Sequence, residues 1–207
     1  MAIIINGSTG ISGVDGTSST PAVVGSGTNT GIFFSAGQVS ASLAGTSANI
    51  ALVSGTAQNS TSGTSIDFTG IPSWVKRITV ICDGVSTTGT SLVQLQVGTS
   101  SGIVTSGYTG TYGNLFANNS VQVSNATNGL VFGSGGSAAE ARVGHCILTQ
   151  LTGNTWVMSS TMGNTVNSTI NWSGSRIALS GTLDRVRITT VNGTDTFDAG
   201  SINIMYE

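Results

Sequence analysis

The chain has 207 residues, of which only 7% are charged and 38% hydrophobic, and its formal net charge at pH 7 is −2. Binding to nucleic-acid phosphates needs clustered Lys and Arg, whereas Lys76 is the single lysine here. A transmembrane helix needs about 18 or more consecutive apolar residues, and no such run occurs. The composition therefore predicts neither a nucleic-acid partner nor membrane insertion. The opening MAIIINGSTG lacks the basic start of a secretory signal, so export by that route is not expected.

Residues 1–65 differ in composition from the rest. They contain one charged side chain, Asp15, and two aromatic ones, Phe33 and Phe34. Their short apolar runs cannot build a separate hydrophobic core, yet the segment lacks the charge and proline content typical of disordered chains. We therefore predict an attachment or trimerisation segment that winds with copies of itself or lies on a partner. Ile32, Phe33 and Phe34 are the predicted inter-subunit residues.

Residues 66–207 show the alternation of apolar and polar side chains that a strand buried on one side requires. Ile78, Val80 and Cys82, for example, share one face of a predicted strand. Thr and Val favour extended chain because a branched Cβ suits a pleated surface. Strands are expected at 66–69, 77–82, 92–97, 129–132, 143–151, 155–162, 168–172, 175–180, 185–188 and 202–206.

These segments predict an all-β protein with two parts. Residues 1–65 form the extended, charge-poor N-terminal segment. Residues 66–207 form an antiparallel β-sandwich, of which the jelly roll is one arrangement, because many short strands separated by turn residues favour two packed sheets.

Residues 107–119 interrupt the alternation with a run rich in Gly, Thr and Asn. Tyr, Gly and Asn are enriched in binding loops, where rigid rings supply contact area and small polar residues supply hydrogen bonds. The candidate receptor-contact residues are Tyr108, Tyr112, Asn114 and Phe116. The alternative is a long surface loop whose rings pack on the sandwich or on a sister subunit.

The sequence predicts no catalytic, cofactor-binding or metal site. His145, the only histidine, neighbours Cys146 on a predicted strand, so the two side chains project to opposite faces. Asp195 and Asp198 could hold a calcium ion with Asn192, since hard cations take several oxygen ligands. Asp before a strand more commonly caps a turn, and that is the interpretation we favour.

Two pairs of residues are expected to serve structure only. Cys82 and Cys146 lie in strand-like runs and, without a secretory signal, are predicted to be free buried thiols. A disulfide would require their two strands to face each other closely. Trp156 and Trp172 each share a strand face with another apolar residue, which places them in the core or at an interface between subunits.

Three stretches resemble known sequences. Residues 19–34, STPAVVGSGTNTGIFF, resemble a "TPA…TNTGIF" element that recurs in tail-fibre and related virion proteins of tailed bacteriophages. Residues 66–80, IDFTGIPSWVKRITV, and residues 195–207, DTFDAGSINIMYE, resemble the opening and the closing strand of a domain appended to phage tail proteins. Together the three stretches bracket most of the chain.

The resemblance implies a structural subunit of a bacteriophage tail fibre or spike, made in the host bacterial cytoplasm and located in the virion. It implies a homotrimer that is anchored to other tail or baseplate proteins through residues 1–65 and projects its sandwich toward the host surface. No enzymatic activity is expected. The alternatives are a receptor-recognition module that binds a host surface glycan and a head fibre or capsid decoration protein.

Overall fold

The computed structural model describes residues 31–35, 38–43, 46–49, 52–133, 137–166 and 168–207. The chain divides into two compact units, Met1–Leu52 with Glu207, and Val53–Tyr206. The second unit thus begins before residue 66, where the sequence analysis placed the start of the sandwich domain.

The described part of the first unit is an antiparallel sheet of three short strands. These are β1 (Gly31–Ser35), β2 (Gln38–Leu43) and β3 (Thr46–Asn49), in that spatial order. Ile32, Phe33 and Phe34 lie in β1. The surroundings of their side chains, and residues 1–30 as a whole, are outside the described residues.

The described residues of the second unit form fourteen strands joined by turns and loops. They are β4 (Val53–Ser54), β5 (Gln58–Asn59), β6 (Ser65–Thr69), β7 (Arg77–Thr87), β8 (Val93–Thr99), β9 (Gly102–Ile103), β10 (Thr109–Leu115), β11 (Val121–Ala126), β12 (Leu130–Val131), β13 (Arg142–Thr152), β14 (Thr155–Asn164), β15 (Thr169–Ala178), β16 (Arg185–Thr190) and β17 (Phe197–Tyr206). Within the described ranges, no helix is long and apolar enough to cross a membrane.

The strands form two antiparallel sheets. The large sheet has the order β11-β10-β15-β14-β13-β7-β17-β4, with β5 also paired to β17. The small sheet has the order β12-β8-β16-β6, with β9 paired to β8. The predicted all-β fold with an antiparallel sandwich is confirmed.

The core lies between the sheets and comes from the predicted alternation. Ile78, Val80 and Cys82 of β7 are all buried, as are Val186 and Ile188 of β16. Burying one aliphatic side chain of this size contributes about 1.5–3 kcal/mol before the entropy cost of ordering it. The strands therefore form where the period-2 pattern lets each sheet present one apolar face to the other.

The first and last strands of this unit meet at one edge of the large sheet. Val53 lies opposite Tyr206, and Gln58 lies opposite Ile202. Beyond these two short strands, the buried Ser60 donates from its backbone nitrogen to the Gly200 carbonyl at 2.9 Å. The edge is thus closed by two-residue strands, a common way to limit unwanted strand pairing.

A buried ion pair lies at one end of the sandwich. The Arg142 guanidinium donates to the Glu140 carboxylate at 2.8 Å, and each side chain is only 2% exposed. Burial lowers the pKa of Arg142, while Glu140 opposes that shift. A buried charge without a countercharge strongly destabilises the folded state. The burial of Arg142 and that of Glu140 are therefore favourable only together.

Both cysteines are free and buried, as predicted. Cys82 lies opposite Gly144, whereas Cys146 lies opposite Val80. The thiols are therefore diagonal neighbours on adjacent strands, a pairing in which Cα atoms are about 7–8 Å apart, too far for the usual disulfide. Burial raises the pKa of the Cys82 thiol to about 12.

Neither thiol should react in the folded protein. The thiolate is the reactive form, and burial raises the pKa of both thiols, that of Cys82 to about 12. We expect an aromatic disulfide reagent to modify no cysteine at pH 8 in buffer and both in concentrated guanidinium chloride. Rapid modification in buffer would contradict the buried positions, and mass spectrometry of the labelled peptides would identify the cysteine responsible.

Candidate interaction surface

The four candidate receptor-contact residues do not form a surface loop. Residues 109–115 form β10, which pairs with both β11 and β15. Tyr108 is 3% exposed, and its hydroxyl accepts from the Val97 nitrogen at 2.8 Å and donates to the Val104 carbonyl at 3.0 Å. Burial raises its pKa to about 12. Tyr108 therefore ties its segment to β8 and offers no side chain at the surface.

The other three residues are dispersed. Asn114 is buried, and its side-chain oxygen has no hydrogen-bond partner. Tyr112 and Phe116 are partly buried, and Phe116 starts the turn that leads into β11, where its nitrogen donates to the Ser120 carbonyl at 3.0 Å. The rings and the amide thus do not present one exposed aromatic platform. The predicted alternative, in which rings pack on the sandwich, describes Tyr108.

The outer face of the large sheet, directed away from the core, is unusually apolar at one end. Its most exposed large side chains there are Val123 (66%), Val121 (57%), Ile170 (49%) and Trp172 (42%). Leu115 and Val143 are also exposed. We call these six residues the exterior patch.

The strand register brings the patch together in two neighbouring rows. The first row crosses the sheet as Val121, Leu115, Ile170, Gly163 and Val143. The second row runs as Val123, Gly113, Trp172, Thr161, His145 and Ile81. Directly opposed side chains on one face are about 4.5–5.5 Å apart, so the residues of each row are neighbours across the sheet, except at Gly163 and Gly113, which have no side chain.

Gly113 makes room for the largest member of the patch. A Cβ placed on Gly113 would lie 3.2 Å from both Cε2 and Nε1 of Trp172. The indole therefore rests on the β10 backbone beside Gly113. Both tryptophans were predicted to lie in the core or at an interface between subunits; Trp156 is buried in the core, and Trp172 is on the outer face.

Neither row contains an Asp, Glu, Lys or Arg. The charged residues of this outer face lie near the two ends of its strands. Arg176 and Arg77 lie at one end, in the row that also contains Val157 and Thr149. Asp83 lies toward the other end, beyond Ile81. A patch of apolar residues with charges only at its rim resembles the centre of a protein–protein interface, where charged residues are depleted and aromatic residues enriched.

The outer face of the small sheet is different. Arg187 donates to both carboxylate oxygens of Asp67 at 2.7 and 2.6 Å, and both side chains are partly exposed. Gln96 donates to the Asn128 carbonyl at 2.8 Å. The outer side of the small sheet thus carries polar, hydrogen-bonded side chains, of which Gln96 is buried and the Asp67–Arg187 pair is partly exposed, while the outer face of the large sheet exposes large apolar groups. This difference singles out the exterior patch as the candidate site.

The acidic residues weighed for calcium belong to separate hydrogen-bonded groups. The Asp195 carboxylate accepts from the Ser91 nitrogen at 2.9 Å and from the Asn192 side-chain nitrogen at 2.7 Å. Asp198 accepts from the Ser86 hydroxyl. Among the described residues, no three His, Cys, Asp or Glu side chains are grouped to hold a metal ion. Asp195 acts as the hydrogen-bonded centre of the turn before β17.

These bonds make a titration prediction. The hydrogen bond from Asn192, and then that from Ser91, lower the pKa of Asp195 below 3.8. A depressed folded-state pKa adds stability above the ordinary carboxyl pKa, and this contribution is lost as the pH falls through the lower value. We expect carboxyl NMR to show this low midpoint and Asn192→Ala to raise it. An unchanged midpoint in the variant would contradict the assignment of the cause.

Comparisons with family models, with curated proteins and with solved structures each give no match for this chain.

Proposed function

We propose that the chain is a structural subunit of a bacteriophage tail fibre or spike, a homotrimer anchored to the virion through residues 1–65 with its sandwich directed toward the host surface. The exterior patch is the observation that carries the proposal, because exposed apolar areas of this kind mark surfaces that bind other proteins. The resemblance of residues 19–34, 66–80 and 195–207 to phage tail proteins supports a tail fibre or spike as that assembly. Repeated copies would then turn weak host contacts into firm attachment.

Immunogold electron microscopy tests this function directly. Antibodies raised against the full chain would be applied to purified particles of the phage or induced prophage that encodes it. We expect label on fibres or spikes of the tail, together with peptides of the chain in the mass spectrum of the particles. Label on the capsid would instead favour a head fibre or decoration protein. Particles that are complete and infectious without the chain would overturn the structural role.

A second candidate function, binding of a host glycan, is favoured by one feature of the small sheet. A shallow cleft of about 300 Å³ on its outer side is lined by polar side chains, among them Gln94, Gln96, Asn128 and Thr189. Gln94 is buried, and its Oε1 atom has no hydrogen-bond partner. Amide and hydroxyl groups around a concave site are suited to the hydroxyls of a sugar.

A glycan array with the full chain distinguishes the two functions. If the cleft binds sugar, Gln94→Met should abolish the signal, because it removes the amide while nearly preserving side-chain length. Gln122→Met, on the exposed strand β11, is the matched control and should leave the signal unchanged. A chain that binds no glycan but is required for particle assembly supports the structural function alone.

A further inference from the structure

We propose that the exterior patch packs against the same face of other copies of this chain, so that the sandwich itself, and not only residues 1–65, holds the subunits together. The proposal rests on the proposed function for its oligomeric setting. Its support comes from the composition, the size and the charge of this face.

The apolar composition of the exterior patch indicates that this face is covered in the assembled protein. Val121 and Val123 lie on β11, Ile170 and Trp172 lie on β15, and Leu115 and Gly113 of β10 lie between them. Trp is among the residues that most often dominate the energy of an interface. Water contact with such a group is unfavourable by roughly 25 cal/mol for each Å² of apolar area. The polar outer face of the small sheet, on the same fold, shows that the sandwich does not need apolar residues outside.

Size argues for a partner with a comparable flat face. Six strands from β11 to β7, about 4.8 Å apart, and about six to seven residues along each strand give roughly 25 Å by 20 Å, or roughly 500 Å² per copy. This is the whole outer face, which includes its charged ends with Arg77, Arg176 and Asp83 as well as the exterior patch. Two such faces together would bury about 1,000 Å², the lower limit for a specific interface. A second copy supplies this flat, six-stranded surface, whereas a single peptide strand would cover only part of it.

The distribution of charged residues on this face supports a second copy of the chain as the partner. The two rows contain no Asp, Glu, Lys or Arg, so copies that meet there bring no like charges together. Arg176 lies toward one end of the face and Asp83 toward the other. Copies arranged head to tail around the threefold axis of the proposed homotrimer would place the basic end of one face near the acidic end of the next. Opposed charges of this sort favour one register and disfavour others.

The strand β11 adds a reason why the face needs a cover. Val121–Asn125 are all exposed, and β11 pairs only with β10, so it is an edge strand of the large sheet. Long, uncharged edge strands bind other chains unless they are protected. The other described edges are two-residue strands or, in β6, carry the ion-paired Asp67. A copy packed over the exterior patch would cover Val121 and Val123, the outward side chains of this edge, and would hinder the approach of another strand to the β11 backbone.

Hydroxyl-radical footprinting of the full chain, read by mass spectrometry, tests the proposal together with light scattering. We expect an oligomer in which Trp172, Ile170 and Val123 are oxidised at least about fivefold more slowly than in the diluted monomer, because the centre of an interface excludes water. Val191, exposed on the turn after β16, is the internal control and should be oxidised at the same rate in both states.

Substitutions in the exterior patch provide a second test of the proposal. We expect Ile170→Ser combined with Trp172→Ser to weaken association by on the order of 30-fold or more, the effect of losing a central aromatic contact. Val123→Asp should act in the same direction because it brings like charges together. Val191→Asp is the matched control and should not change association. Circular dichroism and the melting temperature of each variant show whether the monomer is still folded.

The outcomes separate this proposal from the proposed function. A full chain that is monomeric at all concentrations, or an oligomer whose Trp172 is oxidised as fast as in the monomer, would overturn the copy-to-copy contact. Protection of Trp172 only inside the particle would assign the patch to a different virion protein. An oligomer with a protected patch that is absent from particles would keep this inference and overturn the virion function.

Discussion

The replacement Glu140→Gln should lower the free energy of unfolding by about 3–5 kcal/mol, since it leaves the Arg142 guanidinium buried without its countercharge. Both side chains are 2% exposed, and the charged oxygen and nitrogen are 2.8 Å apart. Gln preserves the size of the side chain, so the loss measures the charge and its hydrogen bond and not a cavity. Equilibrium unfolding in urea provides the measurement.

Asp67→Asn is the matched control for that experiment. Asp67 also binds an arginine through two short bonds, but its pair with Arg187 is about one third exposed. Exposed ion pairs contribute about 0–1 kcal/mol, so this variant should lose little stability. Equal losses in the two variants would show that burial does not determine the cost. A third variant, Glu140→Gln with Arg142→Met, should recover part of the loss because it removes the buried charge that Glu140 neutralised.

The second large effect concerns Gly200, where β17 and β7 lose their regular pairing between Phe197 and Ser201. Gly200 has a φ of +95°, and a Cβ there would lie 2.5 Å from the backbone carbon and oxygen of Gly84. We expect Gly200→Ala to lower the free energy of unfolding by roughly 3 kcal/mol or more, from backbone strain plus overlap with an atom that cannot rotate away. Thermal and urea unfolding would measure it.

Gly193→Ala separates the two contributions. Gly193 also has a positive φ, +70°, but no atom lies within 4 Å of the position a Cβ would take. Its substitution should therefore cost only the conformational strain, about 1–2 kcal/mol. Gly200→Ala could lower the free energy of unfolding by no more than Gly193→Ala only if β17 and β7 moved apart easily at Gly200. That result would contradict the close packing of the two strands there.

The sequence predicted those strands whose two sides have different surroundings. In β7 and β16, one face meets the core and the other does not, so polar and apolar residues alternate and the pattern is visible. Residues 109–115 gave no such signal, because Gly110 and Gly113 replace side chains where β10 approaches its neighbours closely. A Cβ on Gly110 would lie 2.7 Å from the Gly174 carbonyl oxygen. Glycine is needed at these positions because of strands that are distant in the sequence, so the residues around β10 alone do not show the need.

The candidate site was harder to predict for a related reason. Alternation shows that Trp172 and Ile170 share a face, and their apolar character would place that face inside. In the first part of β15 the arrangement is the reverse, because Asn171, Ser173 and Ser175 are buried while Ile170 and Trp172 are exposed; only at Ile177 does the buried face carry a large apolar residue. Tyr108 was misplaced because its hydroxyl bonds to the backbone of β8, a contact that depends on the folded topology.

The short strands at the edge of the large sheet also determine how the sandwich responds to mechanical load. A pulling force on the chain ahead of Val53 acts first on β4 and β5, each two residues long and held to β17 by a few backbone bonds such as Gly55 nitrogen to Ile204 oxygen at 2.7 Å. Such bonds break one after another, as in a zipper, before the force reaches Ser60, whose nitrogen and hydroxyl are both bonded to the β17 backbone. The segment between Val53 and Ser60 is therefore a compliant tether that lengthens under tension while the two sheets stay folded.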